Sequence, residues 1–321
     1  MINRLLLGLI CLTLVLPIIP VAVIAFDAPV SPPPMVSMAE SLKPTGSPEF
    51  PAPGQFRARD SASLQYYAYP AETDKVAVLV HGSAGPGTSM HALAEKLRAA
   101  GVSAYVLDIR GHCGSGRRGD IDYIGQIDDD LADFVAQLGP ARSGESRTLV
   151  GFSAGAGFAL RVAGGPYGAL FDRYVFLSPI LPGSAAWRPN AGGWVDIALP
   201  RLVTIAYLGR AGIHWFDGFP VISYAVSRDL RDITASYSYR LSMNFGAGRS
   251  YEAYLKNLRR PAAILVGDAD DQVVADQFTP LLRRLGVDIP VTIVPGMKHA
   301  DMIARPEAQQ AVVRAVRCDP Q

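Results

Sequence analysis

Cysteine is scarce: Cys11, Cys113 and Cys318 are the only three in 321 residues, too few for a disulfide framework or a cysteine-built zinc site. Cys113 falls in a loop and Cys318 beyond the last predicted helix, so no bond is expected between them. Cys11 lacks the small preceding residue that a lipoprotein signal needs. A charge excess is also missing. With 30 Lys and Arg against 29 Asp and Glu, the net charge is +1, which excludes an electrostatic nucleic-acid binder. No internal repeat is present, and no His, Cys or carboxylate cluster has metal-ligand spacing. The glycine-rich "HGSAGPG" lacks the Lys-Ser/Thr ending of a phosphate-binding loop. No metal and no cofactor are implied.

Apolar residues, by contrast, make up 49% of the chain. From Leu5 to Phe26 they form a run without a charge, preceded by Arg4. Such a run reads as a cleaved leader, with Val23 and Ala25 as its −3 and −1 positions, or as a membrane anchor. Either sends the chain to the membrane or out of the cytoplasm. Residues 27–54, rich in Pro and Ser and without periodicity, read as a tether.

From Gln55 onward short β-rich runs alternate with helical patterns, the signature of a mostly parallel sheet covered on both faces. "FRARD" and "LQYYAYP" predict an opening antiparallel pair and "KVAVLVHG" the first buried strand. Ser89 is placed to cap a helix running to Ala100. Asp128, Asp129 and Asp130, early in the next helix, read as a solvated face. The alternation breaks once, over residues 180–261, where Trp187, Trp194 and Trp215 stand among Gly and Pro. So long a break predicts an inserted cap over the carboxyl ends of the strands. Its aromatics would wall an apolar pocket or form the cap's own core.

"GFSAG", Gly151 to Gly155, follows one predicted strand and opens a helix. A sharp strand-to-helix turn there would push the Ser153 hydroxyl out above the sheet. A serine needs a general base, and the chain has five histidines. His299, just past the final strand, reaches the same edge; His81 and His112 lie in glycine-rich loops, His91 on a helix and His214 in the cap. The orienting carboxylate comes from "GDADD", which offers Asp268, Asp270 and Asp271.

"HGSAGPG", "DIRGHCGSG", "GFSAG", "GDADD" and "GMKHADM" resemble, in order and spacing, the α/β-hydrolase family, closest to its capped lysophospholipase, monoacylglycerol-lipase and serine-aminopeptidase-like branch. The resemblance implies an eight-stranded sheet, a core of residues 55–179 and 262–321, and a cap of residues 180–261. It points to Asp270 as the acid, with Asp271 the fallback and Asp268 a loop or capping residue. It also implies an oxyanion hole from the backbone N–H groups of Ser83 and Ala154. Cys113 departs from the pattern by standing where glycine is usual. The expected activity is hydrolysis of a small-molecule or lipid ester through Ser153, His299 and Asp270. An aminopeptidase would instead need a cap carboxylate for a free amine, for which Asp196, Asp217, Asp229 and Asp232 are available.

Overall fold

The computed structural model describes residues 18–41, 49–227 and 232–317. The buried apolar runs become strands. Eight of them form one sheet in the order β1-β2-β4-β3-β5-β6-β10-β11: β1 (Gly54–Arg57), β2 (Ser63–Tyr69), β3 (Lys75–Val80), β4 (Ser103–Leu107), β5 (Ser146–Phe152), β6 (Arg173–Leu177), β10 (Ala262–Gly267) and β11 (Val291–Val294). Only β2 runs against its neighbours. On β3, Val78 and Val80 join the core on one face and Ala77 and Leu79 that on the other, the two-residue alternation of a sheet buried on both sides. Parallel registers pair Val80 with Gly151, Phe152 with Leu177, and Gly267 with Val294. That alignment brings the loops after β3, β5, β10 and β11 to one edge.

The inserted stretch carries a second sheet, β7 (Val195–Ile197), β8 (Pro220–Tyr224) and β9 (Ser236–Ser238), with a helix at Leu199–Arg210. Its aromatics divide between two fates. Trp194, Tyr224, Tyr237 and Phe245 are buried in the main core, whereas Trp215 is 86% exposed. The last part of the stretch packs on the core itself: Asn244 Oδ1 accepts from the N–H groups of Gly125 and Ile127, and its amide donates to Asp128 at 2.6 Å.

Three expectations are corrected. Residues 27–41 do not hang free: Val30 N–H donates to Asp196 at 2.7 Å, Met35 N–H to the Ala225 carbonyl at 3.0 Å, and Ser37 Oγ to Asp271 at 2.5 Å. Composition excluded a self-standing element, but not docking onto acceptors that the cap presents. The three aspartates are ties rather than a solvated face: Asp130 pairs with Arg110 at 2.7 Å, Asp128 with Arg161 at 3.1 Å and Asp129 with Arg59 at 2.9 Å. Ser89 does not cap the helix His91–Ala99; its hydroxyl donates to the Pro86 carbonyl within a preceding 3-10 turn.

Most of the apolar run read as a leader or anchor, with Cys11, lies outside the described residues, as do Cys318 and Asp229. Its described end, Ile18–Phe26, is a helix whose Ile24 is buried against Ile205 and Val221 of the cap. Among the described residues no helix is long and apolar enough to cross a membrane.

Candidate active site

Ser153 sits between β5 and the helix Ala154–Ala163 with φ 57° and ψ −119°, a conformation costly for a side-chain-bearing residue. The flanking glycines are there for space. A Cβ on Gly151 would run into the Gly155 carbonyl and Ala156 Cα, and one on Gly155 into the carbonyls of His81 and Val80. These neighbours are backbone, so no side chain can turn away to relieve the clash. Gly155→Ala is therefore expected to cost at least about 1–3 kcal/mol, as overpacking does, and to displace the turn. A lower urea midpoint with reduced turnover would show both effects.

The turn aims Ser153 Oγ at His299 Nε2, 2.9 Å away. His299 Nδ1 lies 2.9 and 3.0 Å from the two oxygens of Asp270. Asp270 Oδ1 also accepts the N–H groups of Gln272 at 2.8 Å and Val273 at 3.0 Å. All three side chains are buried. Burial alone would raise the Asp270 carboxyl, but the imidazole and the two N–H groups outweigh it and hold it below its ordinary value. An ionised Asp270 only accepts, so His299 carries its proton on Nδ1 and Nε2 is left to accept from Ser153.

Of the two neighbouring aspartates, Asp271 turns to Ser37 and Asp268 accepts the Gly296 N–H at 2.6 Å. Ala154, first in its helix, has no intrahelical acceptor for its N–H, and the Ser83 N–H has no partner among the described residues. The remaining histidines serve the loops. His81 Nε2 accepts the Ile109 N–H at 3.2 Å, and burial pushes its imidazole down to about 4. His91 Nδ1 meets the Tyr69 hydroxyl at 2.9 Å and His214 Nδ1 meets Asp217 at 2.9 Å.

Asp108 and Arg110 take separate partners. Arg110 joins Asp60 and Asp130, whereas Asp108 accepts the Gly87 N–H at 2.6 Å. Burial pushes the Asp108 carboxyl up to about 6, against the pull of the Gly87 N–H and Tyr67 hydroxyl and with help from the Asp232 charge. The folded state thus keeps a proton that the unfolded chain has lost between about pH 4 and 6, so stability falls as pH rises through that window. Asp108→Asn removes this fall. Above pH 6 the gain is at most about 3 kcal/mol, at ~1.4 kcal/mol per tenfold change in proton affinity, and urea midpoints at pH 4, 5 and 7 will read it. The Cys113 thiol nearby is pushed up to about 12 by burial and by Asp108 and Asp232, which keeps it protonated and unreactive.

Sequence reasoning named Trp194 only as a cap aromatic and missed Tyr237; both reach the loop after β3 from the cap, and no fixed spacing links them to it. Among the described residues no group of three or more His, Cys, Asp and Glu could hold a metal ion.

The family described as "Serine aminopeptidase, S33" matches residues 71–305. A monoacylglycerol lipase of Mycolicibacterium smegmatis is 28% identical over 258 residues, which are 74% of this chain and 85% of that protein. Among solved structures, a monoacylglycerol lipase of Paleococcus ferrophilus is similar at TM-score 0.61 and 20% identity, over 79% of this chain and 98% of that one. A soluble variant of monoglyceride lipase from Saccharomyces cerevisiae, in complex with a substrate analog, reaches 0.62 at 17% identity, over 85% of this chain and 95% of that one.

Proposed function

From the premise that this chain belongs to the serine aminopeptidase S33 family of α/β-hydrolases, we propose that it is a serine hydrolase of carboxylic esters, with lipid-like esters its substrate class. The observation that carries the reading is the buried line from Asp270 through His299 to Ser153, with Ser153 Oγ 2.9 Å from an imidazole nitrogen free to accept its proton.

In this mechanism Ser153 Oγ attacks the ester carbonyl carbon while His299 Nε2 takes its proton. The N–H groups of Ala154 and Ser83 stabilise the oxyanion, whose full charge arises only on the way through the transition state. His299 then protonates the leaving alcohol. Water, activated by the same imidazole, releases the acid and restores Ser153. Asp270 keeps the imidazole in the tautomer both steps require and stabilises its cationic form.

Of the cap carboxylates, Asp196 accepts the Val30 N–H and one oxygen of Asp217 meets His214, while Asp232 is exposed. Similarity favours an ester over an amine-bearing peptide. The relative from M. smegmatis is by name a monoacylglycerol lipase. The uncharged run from Leu5 to Phe26 supports placing the hydrolase at a membrane or outside the cytoplasm.

The test is to treat the purified chain with a fluorophosphonate and map the adduct by mass spectrometry. Turnover is then compared on p-nitrophenyl esters of increasing acyl length, a monoacylglycerol and aminoacyl p-nitroanilides. The expected result is an adduct on the peptide bearing Ser153 and turnover of esters, with an optimum in chain length. Preference for the anilides would move the chain to the peptidase side, and a folded protein that neither labels nor turns over would make it a binding module.

A further inference from the structure

The proposed hydrolysis needs the Ser83 N–H held in one direction, and much of what holds that loop comes from the cap. Ala84, the next residue, has φ +63°, a left-handed conformation that a residue with a Cβ leaves unless tied. Both of its backbone groups are tied to one cap segment: its N–H donates to the Tyr237 hydroxyl at 2.8 Å, and its carbonyl accepts the Thr234 N–H at 2.9 Å. Trp194 Nε1–H donates to Ser83 Oγ at 2.9 Å. The Tyr224 ring packs edge-on against Tyr237 at 4.7 Å and, tilted, against Trp194 at 5.8 Å.

The chain of donors ends in the core. His112 Nδ1 faces the Ile109 carbonyl at 3.2 Å and can only donate there, so Nε2 accepts from the Tyr237 hydroxyl at 2.5 Å. Tyr237 Oη is then free to accept the Ala84 N–H. Ala84, Trp194, Tyr224, Tyr237 and His112 are all buried, and burial, followed by the neighbouring His81, holds the His112 imidazole well below its ordinary value and so neutral.

We propose that Tyr237 is a positioning residue: its phenol, backed by His112 and assisted by Trp194, fixes the turn at Ser83 and Ala84, making the cap sheet a clamp on the oxyanion loop. The assignment rests on the ester-hydrolase reading. Tyr237→Phe keeps the ring against Tyr224 and removes only the hydroxyl, leaving the Ala84 N–H buried without an acceptor. The turn then relaxes and the Ser83 N–H loses its aim, which weakens binding of the tetrahedral species and not of the substrate.

Three readouts test this. Amide hydrogen exchange of a peptide covering residues 81–86 becomes faster in Tyr237→Phe than in the wild type. On a p-nitrophenyl ester kcat falls about 10–100-fold, less than the loss on removing a donor outright, with KM within about twofold. Affinity for an alkyl boronic acid, which forms a tetrahedral adduct on the serine, falls in parallel with kcat. Trp194→Phe shifts all three the same way by less, and His112→Gln, which keeps an acceptor, stays closer to wild type than His112→Leu. Unchanged exchange at residues 81–86 overturns the clamp, and a raised KM with kcat intact overturns the positioning role. Exchange reads the clamp even if the wild type hydrolyses no ester, so failure of the functional reading is told apart from failure of this one.

Discussion

Replacing Ser153 by alanine is expected to lower kcat on a p-nitrophenyl ester by about 10⁶-fold, the scale seen when a triad nucleophile is removed, and to abolish the fluorophosphonate adduct. In the proposed mechanism the hydroxyl forms the bond to the acyl carbon, and alanine supplies nothing in its place. Residual hydrolysis above background, about 10³-fold, would come from the Ser83 and Ala154 N–H groups and from binding alone. The fold survives the change. The strained φ of 57° is imposed by β5 and the helix behind it, and alanine bears it as serine does. Ser153→Gly sheds that strain, since glycine adopts a positive φ freely, so it should unfold at a higher temperature than Ser153→Ala while being equally inactive. Thermal unfolding of the two variants beside their kcat values checks both statements. An alanine variant that is folded and still turns over at wild-type rate removes Ser153 from the mechanism.

The strand-turn-helix around Ser153 was legible because one short stretch carries all its signals: a buried β-rich run, two glycines and an alanine-rich helix. The same locality made the sheet readable, since each strand announces itself by its own apolar run. His299 followed from topology, because the ends of parallel strands share an edge whatever the distance along the chain; topology brought Asp268, Asp270 and Asp271 to that edge together, and only the family resemblance pointed to Asp270 among them. The illegible parts depend on pairings between remote residues whose types are unremarkable alone. Ser37 meeting Asp271, Asp128 meeting Arg161, and Tyr237 meeting both Ala84 and His112 obey no spacing that one sequence displays. Residues 27–41 went unread for a related reason: composition predicts what a segment makes of itself, and these residues take their order from the cap.

The cap thereby joins elements that the sequence presents as separate. Its Trp194 and its strand residue Tyr237 reach Ser83 and Ala84, while its helix Leu199–Arg210 meets the helix Ile18–Phe26 through Ile205 against Ile24. One small sheet stands between the N-terminal segment and the loop that carries Ser83.

Asp270→Asn is expected to cost about 10⁴-fold in kcat, and the reason lies in which oxygen is fixed. The N–H groups of Gln272 and Val273 both donate to Oδ1, so an asparagine must place its carbonyl oxygen there and its NH₂ where Oδ2 stood, 2.9 Å from His299 Nδ1. Two donors cannot face each other. The imidazole responds by shifting its proton to Nε2 and accepting on Nδ1, which leaves a donor pointing at Ser153 where the reaction needs a base. Geometry is preserved and the proton is on the wrong nitrogen. Stability should change in a defined direction as well. Because the folded state holds the Asp270 carboxyl below its unfolded value, its contribution is present above about pH 4 and is lost as pH falls through the folded value. The asparagine variant should be less stable than wild type at pH 7 and approach it toward pH 3. Steady-state kinetics with urea midpoints at the two pH values measure both effects. A folded Asp270→Asn enzyme with kcat within tenfold of wild type would show that Asp270 does not set the tautomer of His299.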